Sequence, residues 1–169
     1  PGEHNIMNAL AAAACAIAAG IEIDIIKAGL EQLDLIDQRM VTTTGQNGVH
    51  IIDDSYNANP QSMRIAINVL RQQEGHKMLV VGDMAELGPD ELQYHTELGE
   101  YAKAHDVDEL LAVGELTPAA IEAFGEHGRH FNARDDLINY LKTKTNADTT
   151  VLIKGSKVNK MWEFVEAIS

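Results

Sequence analysis

Apolar residues recur at three- and four-residue intervals from Asn5 to Gly20 and again from Asp24 to Leu33, the spacing that gives a helix one apolar stripe. Gly20 stands where a helix needs a left-handed C-cap residue, so the two stretches predict a helical hairpin. The period then changes. Met40 to Thr43 and Val49 to Ile52, separated by Gly45-Gln46-Asn47-Gly48, read as two strands around a tight turn. Beyond them helical and extended patterns alternate: helix Pro60 to Gln73, strand Met78 to Val81, helix Asp90 to His105, strand Glu109 to Val113 and helix Pro118 to Phe124. A short strand at Arg129 to Phe131, helix Ala133 to Lys144, strand Thr150 to Ile153 and helix Lys160 to Ile168 complete the chain. Such alternation predicts an α/β fold, a Rossmann-like, mostly parallel sheet with flanking helices, here preceded by the helical hairpin. The expected boundary lies near Arg39 to Gly45, dividing the chain into 1–39 and 40–169.

Open sheets of this kind bind ligands at the carboxyl ends of their strands. Three polar loops fall there: Asp53 to Pro60, Gly82 to Gly88 and Lys154-Gly155-Ser156. They are expected to line one edge.

Composition narrows the function classes. The 169 residues are 45% hydrophobic, enough for a real core. A formal charge of −13 with dispersed Lys and Arg argues against a nucleic-acid partner. The apolar run Ala9 to Ala19 is too short to span a bilayer and lacks a basic start, so neither membrane insertion nor export is expected. A single cysteine, Cys15, fits a reduced, cytoplasmic setting. The chain opens on Pro1-Gly2-Glu3-His4, without an initiator methionine and directly into a helical pattern, which reads as a piece of a longer protein.

Asp53 and Asp54 end an apolar strand, where a carboxylate can accept hydrogen bonds from ribose hydroxyls. The competing reading is local: Asp and Asn make turns and cap helices, and Asn59-Pro60 is an ordinary helix start. The density of polar groups in this loop favours a site. The glycines of Gly82 to Gly88 do not match a dinucleotide fingerprint, and no Gly-x-x-x-x-Gly-Lys-Ser/Thr loop occurs, so a nucleotide's phosphates must be held elsewhere. Lys154-Gly155-Ser156 offers a cation, a permissive backbone and a hydroxyl suited to a carboxylate or phosphate oxygen, though a surface turn lysine would look the same. Asp83 and Glu86 are possible bases or simply solvated acids. His127 and His130 lack acidic or cysteine companions at ligand spacing, so no metal site is expected. No nucleophile elbow or paired cysteine points to covalent catalysis.

Taken in order, Gly2-x-His4-Asn5-x-x-Asn8-Ala9, Arg39, Asp53-Asp54-Ser55-Tyr56-Asn57-Ala58-Asn59-Pro60, Gly82-Asp83-Met84-x-Glu86-Leu87-Gly88 and Lys154-Gly155-Ser156 resemble the Mur ligase family over nearly the whole chain. The resemblance implies a Rossmann-like carboxyl-terminal domain, residues 40–169, preceded by the tail of a central ATP-binding domain, residues 1–39. It implies an ATP-dependent ligase of peptidoglycan precursor synthesis that joins D-alanyl-D-alanine to UDP-N-acetylmuramoyl-tripeptide through an acyl phosphate. Asn5 and Asn8, with His4 alongside, then match the adenine contacts, and Arg39 matches an arginine acting on the terminal phosphates. Asp54 matches the ribose-binding aspartate, with Asn57 and Asn59 as further nucleotide contacts. Lys154, Ser156 and Asp83 fall in the region receiving the amino substrate. Mg2+ is expected to be bound by the central domain, this piece alone to be inactive, and the protein to be a monomer. Gln38 where the family often has glycine, Lys157 for a common arginine, and Met161-Trp162-Glu163 depart from the family pattern. The rivals are another Mur or folylpolyglutamate-type ligase and a stand-alone, non-catalytic nucleotide-binding module.

Overall fold

The computed structural model describes residues 3–32 and 38–169, with side chains described from Ile6 onward. The expected side-chain contacts of His4 and Asn5, and the expected end of the second helix at Leu33, lie outside that range. The chain divides into two compact units, residues 1–36 and 37–169.

In the first unit, α1 (Glu3–Ala18) and α2 (Ile23–Glu31) form the hairpin. The end of α1 is a Schellman turn: Gly20 takes a φ of +80°, Ile21 N–H donates to Ala16 O and Gly20 N–H to Ile17 O. No residue of α2 is fully buried, and Ile6, Met7, Leu10, Ile17, Ile21, Ile23 and Ile25 are exposed.

The second unit is a six-stranded sheet built from β1 (Val41–Thr44), β2 (His50–Asp54), β3 (His76–Val81), β4 (Glu109–Ala112), β5 (Gly128–His130) and β6 (Thr149–Lys154). Its order is β1-β2-β6-β3-β4-β5, parallel throughout except for the β1–β2 hairpin. Strand period two sends alternate residues to opposite faces. Ile52, Leu79, Val81, Leu110, Ala112 and Leu152 pack with α3 (Pro60–Arg71), α4 (Glu91–Ala104) and α5 (Pro118–Phe124). Ile51, Met78, Val80, Leu111, Val151 and Ile153 pack with α6 (Arg134–Lys144) and α7 (Trp162–Ile168). β6 is buried along its whole length, and its central Val151-Leu152-Ile153 shows no apolar–polar alternation.

The position of β6 arranges the site. After β2 the chain crosses through α3 to β3 and moves outward to β5, then returns through α6 on the other face to enter between β2 and β3. The loops leaving β2 and β3 feed helices on one face, and the loop leaving β6 feeds α7 on the other. Divergence of this kind opens a crevice at the carboxyl edge. The three polar loops are thereby neighbours, as their places at strand ends suggest.

Candidate functional site

The site begins with register. Asp54 and Lys154, the last residues of β2 and β6, are directly paired across the parallel ladder and project to the same face. Lys154 Nζ donates to Asp54 Oδ2 at 2.6 Å and to Asn57 O at 2.7 Å. Both residues are buried, 3% and 8% exposed. Burial raises the Asp54 carboxyl above its ordinary range, with the Lys154 charge opposing the shift. Burial likewise lowers the Lys154 ammonium, with Asp54 opposing and the Arg39 charge adding to the fall. Both groups therefore move toward neutrality, as expected when lost hydration outweighs mutual attraction. An ammonium has three donors, and two of them are taken by Asp54 and Asn57.

A second layer lies outward of this pair. Tyr56 is partly exposed, with the Arg39 guanidinium 4.5 Å and the Lys157 ammonium 5.7 Å from its ring centre. Two cations beside one ring form a local positive spot in a strongly acidic chain. The chain reaches it through Gln38 and Met40, both left-handed, with Tyr56 N–H donating to Gln38 O. Gln38 has a φ of +64°, a conformation that glycine adopts freely, which gives the departure at this position a backbone meaning. Ser55 is fully buried and, among the described residues, its hydroxyl has no hydrogen-bond partner. Asn57 Oδ1 accepts from Ala58 N–H. Asn59 is a helix cap: its Oδ1 accepts from Ser62 N–H at 2.8 Å while Ser62 Oγ accepts from Asn59 N–H at 3.0 Å, a reciprocal capping box at α3.

Gly82 and Gly155 let the loops after β3 and β6 touch. A Cβ on Gly155 would lie 2.6 Å from Met161 Cγ and 3.1 Å from Gly82 Cα, so close approach, rather than an unusual φ, demands glycine here. Asp83 gives its side chain to the loop before α5: Oδ2 accepts from Glu115 N–H, and Oδ1 accepts from Leu116 and Thr117 N–H. Its backbone carbonyl accepts from Ser156 N–H at 3.0 Å and from Asn159 Nδ2 at 2.7 Å. Ser156 Oγ in turn accepts from Ala85 N–H at 2.7 Å. Among the described residues nothing accepts the hydroxyl proton of Ser156, which is itself buried. Beside this junction an open groove is lined by Gly114, Glu115, His130, Asn132, Arg134 and Asn159.

The structure therefore brings together Arg39, Asp54, Asn57, Asn59, Asp83, Lys154 and Ser156 around the carboxyl ends of β2, β6 and β3. Asn8 lies exposed on α1 in the other unit. His95, Asn159 and Arg134 escape a reading from sequence, and Tyr56 is read there only as part of its loop motif, without a role. His95 has no local signal because its loop partner, Met84, meets it only when the chain folds back. Arg134 donates to Asn159 O and Lys160 O from another helix. Among the described residues no three His, Cys, Asp or Glu side chains are grouped to hold a metal ion, and no helix is long and apolar enough to cross a membrane.

This edge, with its three interlocked loops on a β1-β2-β6-β3-β4-β5 sheet, has its counterpart in known proteins: residues 38–157 match the family model described as Mur ligase, glutamate ligase domain. The chain belongs to the Mur ligase family. It is 43% identical over 170 residues to the UDP-N-acetylmuramoyl-tripeptide--D-alanyl-D-alanine ligase of Escherichia coli, covering 99% of this chain and 37% of that protein. The enzyme of the same name from Bacillus subtilis is 34% identical over 172 residues, covering 98% and 38%. Among solved structures, MurF from Acinetobacter baumannii superposes with a TM-score of 0.83 at 37% identity, over 98% of this chain and 37% of that one. The MurF ligase of Thermotoga maritima, solved in complex with ADP, gives 0.76 at 26% identity over 96% and 37%. The chain thus spans well under half the length of the relatives it matches.

Proposed function

We propose that this chain is the carboxyl-terminal part of an ATP-dependent ligase that adds D-alanyl-D-alanine to UDP-N-acetylmuramoyl-tripeptide. The observation that carries the reading is the Ser156 hydroxyl, buried, held by Ala85 N–H and with its proton unengaged, beside the cationic Arg39–Tyr56–Lys157 cluster. The names of the relatives that match nearly the whole chain support the choice of substrates. In this reading residues 1–39 continue a central ATP-binding domain and residues 40–169 form the carboxyl-terminal domain. Asn5 and Asn8 address adenine, since an amide presents a donor and an acceptor together. Asp54 turns the oxygen not held by Lys154 to the ribose, with the Asn57–Asn59 loop alongside. Arg39 faces the terminal phosphates, where a planar guanidinium can bridge two oxygens. Ser156 and the third donor of Lys154 take an oxygen of the dipeptide. Asp83 acts through the loops it ties together. Mg2+ is assigned to the preceding domain.

The chemistry runs in two displacements. A tripeptide carboxylate oxygen attacks the γ-phosphorus and ADP leaves, giving an acyl phosphate. The dipeptide amine then attacks the acyl carbon, phosphate leaves with the bonding pair, and the nitrogen loses a proton. This chain contributes orientation and charge stabilisation to both steps.

The test is phosphate release by the intact protein, followed with ATP and the UDP-linked tripeptide while the amine is varied. Release that requires D-alanyl-D-alanine is expected. Release driven equally well by single amino acids would point instead to a different ligase of the family, and none with any amine would leave a nucleotide-binding module. The present chain alone should bind ATP weakly, by titration calorimetry, and neither hydrolyse it nor form the amide.

A further inference from the structure

His95 is fully buried on α4 and takes no part in the chemistry above. Its Nε2 lies 3.0 Å from Met84 N and its Nδ1 lies 2.7 Å from Glu91 O. A backbone N–H can only donate and a carbonyl can only accept, so the ring must carry its single proton on Nδ1 and present a lone pair at Nε2. A ring protonated on both nitrogens would set one N–H against another. The Asp83 carboxylate is 4.0 Å from Nε2, beyond hydrogen-bond reach, and is already committed to the N–H groups of Glu115, Leu116 and Thr117.

The N–H held by His95 belongs to the peptide unit whose carbonyl is Asp83 O. In a trans peptide the N–H and C=O bonds point in opposite directions, so fixing the N–H on His95 aims the carbonyl away from α4. That carbonyl is the acceptor for Ser156 N–H and for Asn159 Nδ2. The next N–H, of Ala85, is the donor to Ser156 Oγ. Ser156 is therefore bound at its backbone and its hydroxyl by two consecutive peptide groups, and His95 sets the plane of the first.

We propose that His95 is a positioning residue for Ser156: its neutral ring locks the Asp83–Met84 peptide plane and so holds the Ser156 hydroxyl toward the amino substrate's oxygen. This rests on the ligase reading for the identity of that substrate, but not for the locking itself. The test uses the intact protein with His95→Gln and His95→Asn. The glutamine oxygen reaches the place of Nε2 and can accept from Met84 N–H, while the shorter asparagine reaches only the place of Nδ1. His95→Asn should raise KM for D-alanyl-D-alanine roughly tenfold, the scale of one lost hydrogen bond, with KM for ATP within about twofold of the parent. His95→Gln should restore the dipeptide KM to within about threefold. In the same proteins, amide hydrogen exchange of segments 82–88 and 154–159 should quicken in His95→Asn and not in His95→Gln. Equal rises in both KM values, a glutamine variant no better than the asparagine one, or exchange at 154–159 that ignores the substitution would each overturn the proposal. If the parent protein shows no dipeptide-dependent turnover, the ligase reading fails while the exchange measurement still decides the role of His95.

Discussion

Asp54 and Lys154 show how a single residue's behaviour depends on where the sheet puts it. Each is the kind of polar strand-end residue that the sequence marks as a site candidate, yet they are a hundred positions apart and become partners only because β6 enters between β2 and β3. The residue types were legible; the pairing was not, because register between distant strands has no local signature. The burial that pairs them also sets a pH dependence. The Asp54 carboxyl is raised from 3.8, so the native state holds this proton more tightly than the unfolded chain does. Its stability contribution is therefore complete below 3.8 and is lost as pH rises through the raised value. Asp54→Asn cannot titrate, so the parent's stability relative to Asp54→Asn should fall as pH climbs through that window. Urea denaturation of both proteins between pH 3.5 and 7 reads this, and a difference that grew with pH would refute it. Lys154→Ala leaves the buried carboxyl without its cation and should cost about 3 kcal/mol at pH 7. A cost under about 0.5 kcal/mol would mean that the pair is solvated in solution.

At the scale of elements, what the sequence discloses is what short-range chemistry controls. The strands and helices fall where period and punctuation place them, and the α3 start is announced by Asn59-Pro60. The capping box is the structural reading of a loop residue that also stands as a nucleotide-contact candidate, and the two roles separate experimentally. Loss of the Asn59 cap removes a satisfied N–H acceptor, so Asn59→Ala should lower stability by about 1 kcal/mol in chemical denaturation. If that loss appears while ATP affinity is unchanged, the residue serves α3 alone. Helix packing is less legible. Gly99 sits inside α4, where glycine is a poor helix former, and nothing in its neighbourhood explains it. The fold does: a Cβ there would collide with the backbone carbonyl of Ala120 in α5. On helix propensity alone Gly99→Ala should stabilise, whereas the packing predicts a loss of about 1–3 kcal/mol, measurable by urea denaturation.

For the molecule as a whole, the apolar stripe of α1 and α2 was readable but its consequence was not. The same periodicity that buries α3 against the sheet leaves Ile6, Leu10, Ile17, Ile23 and Ile25 exposed, because a stripe states only that a helix has a face and not that a partner covers it. Among the described residues, every buried hydrophobic side chain lies between Val49 and Ile168, within the second unit. A unit that owns its entire core does not need the hairpin to fold. Deleting residues 1–36 should therefore leave cooperative unfolding intact and Tm within about 3 °C, which corresponds to less than roughly 1 kcal/mol at this size. A fall beyond about 10 °C would show that the sheet unit draws stability from the hairpin and that the division near residue 37 is not a division in folding. The boundary is the one feature at this scale that deletion tests independently of activity, since Arg39, Tyr56 and Lys157 all fall on the retained side. If the truncated unit folds, those cations remain in place, and any loss of ATP affinity on deletion is then attributable to residues 1–36 rather than to collapse of the cluster.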